Sequence, residues 1–201
     1  LKDEFKMHRR PVMKKVAILF GSPRKNSNTH LLVEEARRGL ADSGAESTIF
    51  FLNDMKIRGC QACYYCKRNK ITDCAVKDDM QSIYRAVIES DGIIVASPIY
   101  FGEVTAQTKA CIDRMFPFIG MDVNSLLPKG KKMACIFTQN QPNAEFFERY
   151  IDGFMTALGY IGFEKGEMLL ACDLDKNFKP MVTENKEMMD RAYSLGHSFF
   201  A

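Results

Sequence analysis

A buried-strand pattern that runs into a polar loop and then an amphipathic helix constrains this chain more than any other feature. Val16 to Phe20 is short and apolar throughout, the pattern of a parallel strand covered on both faces. From His30 onward Leu31, Leu32, Ala36 and Leu40 recur at helical spacing, with charged residues between them. The connection Gly21-Ser22-Pro23-Arg24-Lys25-Asn26-Ser27-Asn28-Thr29 is rich in hydroxyl and amide groups and contains no carboxylate. A helix N-terminus leaves backbone N–H groups without intrahelical partners, so such a loop directs several donors at one point. It suits an anion, most simply a phosphate.

Magnitudes show which part of the loop carries the affinity. A helix dipole offers an exposed phosphate roughly 0.3–1 kcal/mol, whereas each charge-assisted hydrogen bond is worth about 1.5–3 kcal/mol. Four such bonds, from Ser22, Ser27, Asn28 and Thr29, approach the roughly 8 kcal/mol of micromolar binding. An ordinary N-cap accounts for Ser27 or Thr29, but not for four donors beside Arg24 and Lys25. Neither Gly-x-Gly-x-x-Gly nor the Gly-Lys-Ser/Thr phosphate loop is present, so neither of those nucleotide-binding modes is expected.

Beyond this unit the chain alternates strand-like and helix-like segments. Strands are expected at Ser47–Leu52, Gly92–Ala96, Met133–Thr138 and Met168–Ala171. Helices are expected at about Asp78–Ser90, Val104–Phe116, Glu145–Leu158 and Glu184–Phe199. Five strands alternating with helices predict an α/β fold with a doubly wound five-stranded parallel sheet flanked by helices. Ligands of such sheets sit beyond the C-terminal strand ends at the topological switch point. The loops after strands one, three and four are therefore expected to share one site.

The 201 residues suit one domain, expected over residues 13–201 and able to bury roughly 70% of its unfolded surface. Residues 1–12 are charged, lack the apolar core of a signal peptide and are expected to be a flexible leader. A net charge of +3 with dispersed basic residues points away from nucleic acid, and no apolar run reaches the length of a membrane span. Seven cysteines, an odd number without a secretory signal, favour a reducing, cytoplasmic setting over a disulfide framework.

The loop after the third strand, Ser97-Pro98-Ile99-Tyr100-Phe101-Gly102, sets two aromatic rings beside a glycine at the predicted ligand edge. Pro98 stiffens the backbone, and Tyr100 and Phe101 offer flat apolar surface for a planar heterocycle. Taken singly, each ring reads better as a core residue, and their position opposite the phosphate loop is what favours a ring-binding role. The amide-rich loop Thr138-Gln139-Asn140-Gln141-Pro142-Asn143 offers a third wall.

These motifs, with Lys109 to Arg114, resemble the flavodoxin-like NAD(P)H-dependent FMN reductases, and the segment Gly59 to Cys74 followed by Asp78-Asp79-Met80 resembles their iron–sulfur flavoprotein branch. The likeness runs from about Lys15 to Thr138, while the last third matches only in its order of elements. The resemblance implies FMN, with its phosphate on Ser22, Arg24, Ser27, Asn28 and Thr29. It implies an isoalloxazine against Pro98, Ile99, Tyr100, Phe101 and Gly102, with Thr138 and Asn140 closing the site. It also implies a homodimer or dimer of dimers, and electrons drawn from NAD(P)H. No side chain is expected to act as a catalytic acid or nucleophile, because the flavin N5 carries the chemistry.

Cys60, Cys63, Cys66 and Cys74 gather four thiols into fifteen residues. Three at successive three-residue intervals and a fourth across a short loop suit a [4Fe–4S] cluster better than zinc, which more often takes two separated pairs. A strained disulfide ranks below both. Against the cluster stand the long gap before Cys74 and Ala75 in place of the proline common in ferredoxins. Lys67, Arg68 and Lys70 either offset thiolate charge or form a solvated face. With a cluster, the donor is NAD(P)H or a ferredoxin-like protein. The alternatives are a quinone-type reductase whose cysteines bind no metal, and a zinc-stabilised or redox-responsive binding protein with structural FMN.

Cys111, Cys135 and Cys172 are expected in the core, and Asp113 and Arg114 to pair unless Arg114 faces the flavin. His8, His30 and His197 show no metal-ligand spacing.

Overall fold

The structure is a computed structural model that describes residues 13–174 and 181–201. The leader expected over residues 1–12 lies outside the described residues.

Five parallel strands form the sheet in the order β2-β1-β3-β5-β6: β1 Lys15–Phe20, β2 Glu46–Phe51, β3 Gly92–Tyr100, β5 Lys132–Thr138 and β6 Glu164–Ala171. A two-residue strand, β4 Glu103–Val104, turns back antiparallel on β3 and makes six in all. The helices are α1 Asn28–Asp42, the single turn α2 Tyr65–Arg68, α3 Met80–Glu89, α4 Ala106–Asp113, α5 Glu148–Ile161 and α6 Lys186–His197. Disregarding β4, the strand order is that of the flavodoxin-like sheet, as expected, and its switch point lies between β1 and β3.

Successive residues of the central strands point to opposite faces and each face has its own core. Ala17, Leu19, Ile93, Val95, Met133, Cys135 and Phe137 pack under α3, α4 and α5. Val16, Ile18, Phe20, Ile94, Ala96, Ala134 and Ile136 pack under α1 and α6. That double burial explains why β1 reads as an uninterrupted apolar run. Helices α1 and α6 touch backbone to backbone: a Cβ on Gly196 would stand 1.8 Å from Ala36 O, and one on Gly39 2.1 Å from Tyr193 O.

The expected helices are found with ends moved by a few residues. Thr105 caps α4 through its hydroxyl, so that helix begins at Ala106, and Phe116–Phe118 forms a separate 3-10 turn around Pro117. The third strand departs most from expectation, because Ser97 to Tyr100 continue β3 instead of forming a loop. Gly21 N–H reaches Ala96 O at 2.7 Å, so alternate residues 96 and 98 face β1, which has already ended at Phe20. Pro98 therefore lacks its N–H where no strand asks for one. The expected loop becomes a hairpin whose turn residues Phe101 and Gly102 both have positive φ, 51° and 86°.

Candidate cofactor site

Ser22, Arg24, Ser27, Asn28, Thr29, Pro98, Ile99, Tyr100, Thr138 and Asn140 line one crevice of about 160 Å3 at the C-terminal edge of β1, β3 and β5. Ten of the twelve residues expected at a cofactor thus come together, because the three strand ends carrying them are neighbours. Phe101 and Gly102 are not among the lining residues. The Phe101 ring stands fully in solvent at the hairpin tip, and Gly102 sits beside Phe147. Gln139 and Leu174 line the crevice and were not singled out as binding residues. Gln139 lies within the amide-rich loop, whereas no sequence signal marks Leu174.

The polar loop is held from below by α4. Gly21 O accepts from Thr105 Oγ1 at 2.8 Å and from Gln107 Nε2 at 2.7 Å. A Cβ at Gly21 would meet Thr108 Oγ1 at 1.7 Å, so only glycine fits that approach. Ser27 is the N-cap of α1, its Oγ accepting from His30 N at 3.2 Å. The Asn28 and Thr29 N–H groups then belong to the first turn, where an α-helix supplies no partner.

The side chains divide the work differently from the expectation of four phosphate donors. The Asn28 carboxamide is engaged at both ends: Nδ2 donates to Leu174 O at 2.6 Å, and Oδ1 accepts from Met181 N and Val182 N. It latches residues 174 and 181–182 to the start of α1. Thr29 and Thr138 share one hydrogen bond of 2.7 Å. Of their two hydroxyl hydrogens only one is used there. Ser22 Oγ lies 3.2 Å from Arg24 N and from Arg24 O, which curls the loop. Lys25 is paired with Asp54 at 2.6 Å outside the crevice.

The crevice fits FMN on two counts. Its hydroxyls, first-turn N–H groups and Arg24 suit phosphate oxygens. Conversely, Gln139 Oε1 is a buried acceptor with no hydrogen-bond partner among the described residues, while the same amide's nitrogen donates to Gln141 O and Asn143 O. A ligand carrying hydroxyl or N–H groups beside a phosphate matches that mixture.

The cysteine segment forms a second region. Cys60 and Cys63 are exposed, Cys66 and Cys74 half-buried, and all four are free thiols. Among the described residues no group of three or more His, Cys, Asp or Glu is placed to hold a metal ion. The chemistry of the donor set fits a cluster, and Val76 N–H points at Cys74 Sγ from 3.4 Å, but the thiols do not converge. Cys66 and Lys67 line a mainly apolar cavity of about 350 Å3 together with Pro117, Ile119 and Leu126.

Several charged residues here differ from expectation. Lys67 is buried, not solvated: its ammonium donates to Phe116 O at 2.5 Å and to Ile119 O, and lies 3.7 Å above the Phe116 ring. Burial pushes its pKa down. Asp113 pairs with Lys109, not Arg114, at 2.6 Å. Arg114 turns away from the crevice to Asp78, at 2.9 Å. Burial opposes the Asp78 charge, but the guanidinium and the N–H groups of Arg58 and Met80 hold its carboxyl below the usual carboxylate range. Cys111 and Cys135 are core thiols, as expected, pushed up to about 12 by burial. Cys172 is only half-buried and accepts from Gln139 Nε2 at 3.4 Å.

A sheet of this order, with a donor-rich loop leading from β1 into the N-terminus of α1, defines the flavodoxin-like fold class. The model of the NADPH-dependent FMN reductase family matches residues 14–142, and the chain belongs to that family. An iron–sulfur flavoprotein of Methanocaldococcus jannaschii is 42% identical over 103 residues, 51% of this chain and 52% of the relative. Another, of Methanosarcina thermophila, is 36% identical over 100 residues, 50% of this chain and 51% of the relative. The chain spans about half the length of the curated relatives it matches.

Among solved structures, an NAD(P)H:quinone oxidoreductase from Methanothermobacter marburgensis superposes with a TM-score of 0.74 at 15% identity, over 94% of this chain and 98% of that one. An FMN-dependent NADH-azoreductase from Bacillus anthracis, in complex with FMN, gives 0.66 at 12% identity over 93% and 97%. At such identities the likeness establishes the fold.

Proposed function

We propose that residues 13–201 form one FMN-binding domain of an oxidoreductase that draws electrons from NAD(P)H, or from a reduced ferredoxin-like donor, and passes them to an acceptor. The observation that carries this reading is the junction of phosphate-type loop, β3 strip and orphaned Gln139 acceptor in one crevice at the switch point. Family membership supports it.

Bound FMN supplies hydride acceptance and one-electron transfer, chemistry that needs no protein acid or nucleophile. Among the described residues that line the crevice, Arg24 is the one charged side chain. Ser22, Ser27 and the first-turn N–H groups hold the phosphate. The spare hydroxyl hydrogen of the Thr29–Thr138 pair and Gln139 Oε1 meet polar groups next to it. Pro98, Ile99 and Tyr100 offer the ring an edge, with Tyr100 half in solvent. Among the described residues no helix is long and apolar enough to cross a membrane. A cytoplasmic homodimer or dimer of dimers completes this reading.

Replacing Ser22, Ser27 and Thr29 together by alanine tests it. Two charge-assisted bonds at about 1.5 kcal/mol each, from Ser22 and Ser27, and one neutral bond at about 1 kcal/mol, from Thr29, predict a loss of roughly 10³-fold in FMN affinity, read by quenching of flavin fluorescence. The variant is expected to keep its far-UV circular dichroism. Unchanged affinity refutes the phosphate assignment.

A second reading concerns the thiols. The Val76 N–H directed at Cys74 Sγ is the kind of contact that supports a cluster ligand. We propose that Cys60, Cys63, Cys66 and Cys74 hold a [4Fe–4S] cluster, as the names of the iron–sulfur flavoprotein relatives suggest. Anaerobic assay is expected to find iron and acid-labile sulfide. Zinc without sulfide would leave a zinc-stabilised flavoprotein, and neither metal a plain reductase.

A further inference from the structure

The thiol loop closes on itself through one side chain. Arg114 is fully buried, and each of its five N–H donors has an acceptor. One terminal nitrogen donates to Arg58 O at 2.8 Å and Asp78 Oδ2 at 2.9 Å. The other donates to Val76 O at 2.9 Å and Asp78 Oδ1 at 3.2 Å, and Nε to Tyr84 Oη at 3.3 Å. Tyr84 in turn donates to Arg114 O at 2.6 Å. Asp78 completes the closure by accepting from Arg58 N at 3.0 Å and Met80 N at 3.1 Å. Residues 58 and 76–78, the two ends of the segment carrying all four thiols, are thereby tied together. The Val76 peptide fixed at its carbonyl follows the Ala75–Val76 peptide whose N–H is aimed at Cys74 Sγ.

A second anchor lands on the same stretch, since the Lys67 ammonium sits on the carbonyls of Phe116 and Ile119. Both anchors lie just past the C-terminus of α4, whose first turn holds Gly21 of the phosphate loop. The eight residues of α4 span about 12 Å, a rigid spacer of two turns between the two regions.

We propose that Arg114 is the positioning residue of the thiol loop, closing its ends and holding Cys74 in register at the far end of the helix that carries the phosphate loop. What the thiols hold rests on the cluster reading above; the closure does not, because every contact in it is made by the protein alone. Lysine cannot replace this fork, having three donors on a single nitrogen.

The test uses the metal-free chain with two variants. Arg114→Lys keeps a charge opposite Asp78, and Arg114→Met with Asp78→Asn removes the pair together so that no bare carboxylate is buried. Labelling by a thiol reagent is read for each cysteine by mass spectrometry, with amide exchange at Arg58 and FMN titration alongside. Both variants are expected to raise Cys74 labelling and Arg58 exchange at least about tenfold. Cys60 labelling should change less than about twofold and FMN affinity less than about threefold. Wild-type values at Cys74 and Arg58 overturn the proposal, and so does an equal rise at every cysteine with loss of FMN, which would mean general loosening. Anaerobic loading with iron and sulfide then compares loss of the chromophore to a chelator, expected at least about tenfold faster in Arg114→Lys. If the wild type takes up neither, the cluster reading fails and the labelling alone decides the clamp.

Discussion

Substituting Gly21 by alanine strikes the junction on which the crevice depends. The new Cβ would stand 1.7 Å from Thr108 Oγ1, 3.0 Å from Thr105 Oγ1 and 3.1 Å from Thr108 Cβ. Thr108 is fully buried and hydrogen-bonded to Thr105 at 2.8 Å, so it has nowhere to swing, and the loop has to move by more than an ångström. That motion pulls Gly21 O away from Thr105 and Gln107, two bonds worth about 1 kcal/mol each. It also shifts Ser22 and the chain leading to α1. Losing one charge-assisted bond to the phosphate costs about 1.5–3 kcal/mol, a weakening of roughly 10- to 150-fold. Flavin fluorescence titration reads the affinity, and thermal melting of the flavin-free protein reads the roughly 2 kcal/mol of lost stability. Adding Thr108→Ala removes the 1.7 Å collision and leaves only the contacts of 3.0 Å to Thr105 Oγ1 and 3.1 Å to the residue-108 Cβ, so the double variant should recover at least about tenfold in affinity. If Gly21→Ala binds FMN as the wild type does, or if the second substitution recovers nothing, the reasoning fails.

Two further outcomes follow from contacts already described. Asn28→Ala removes three hydrogen bonds to residues 174, 181 and 182, so amide exchange at Met181 and Val182 should rise at least about tenfold, with FMN affinity falling less than for the triple alanine variant. Equal loss of flavin in the two variants would mean that Asn28 contacts the phosphate directly. The lowered Asp78 pKa means that its contribution is complete above the ordinary aspartate value near 3.9 and fades as pH falls through the native value. Arg58 amide protection in the metal-free protein should therefore persist at pH 5 and decline below about pH 4. Protection unchanged at pH 2.5 would remove Asp78 from the closure.

Local pattern carried the fold and most of the crevice. The apolar run at Val16–Phe20, the donor-rich loop and the helical spacing from His30 are short-range features, and strand alternation with helices predicts a doubly wound parallel sheet, whose flavodoxin-like order the family resemblance implies. Ten of the twelve expected lining residues follow from that order alone, since a parallel sheet brings successive strand ends to one edge. Partner choice was not legible. Asn28 reads as a phosphate donor until Leu174, 146 residues away, takes its amide hydrogen. Arg114 has aspartates next to it in sequence and in the segment before α3, and only packing selects Asp78, 36 residues back, over Asp113. Nothing local reveals that Gly21 lies against Thr108, or that β3 outlasts β1 and so tolerates Pro98. Backbone periodicity is decided by neighbours a few residues apart, whereas a hydrogen bond between distant residues exists only once the sheet and its helices have closed around it.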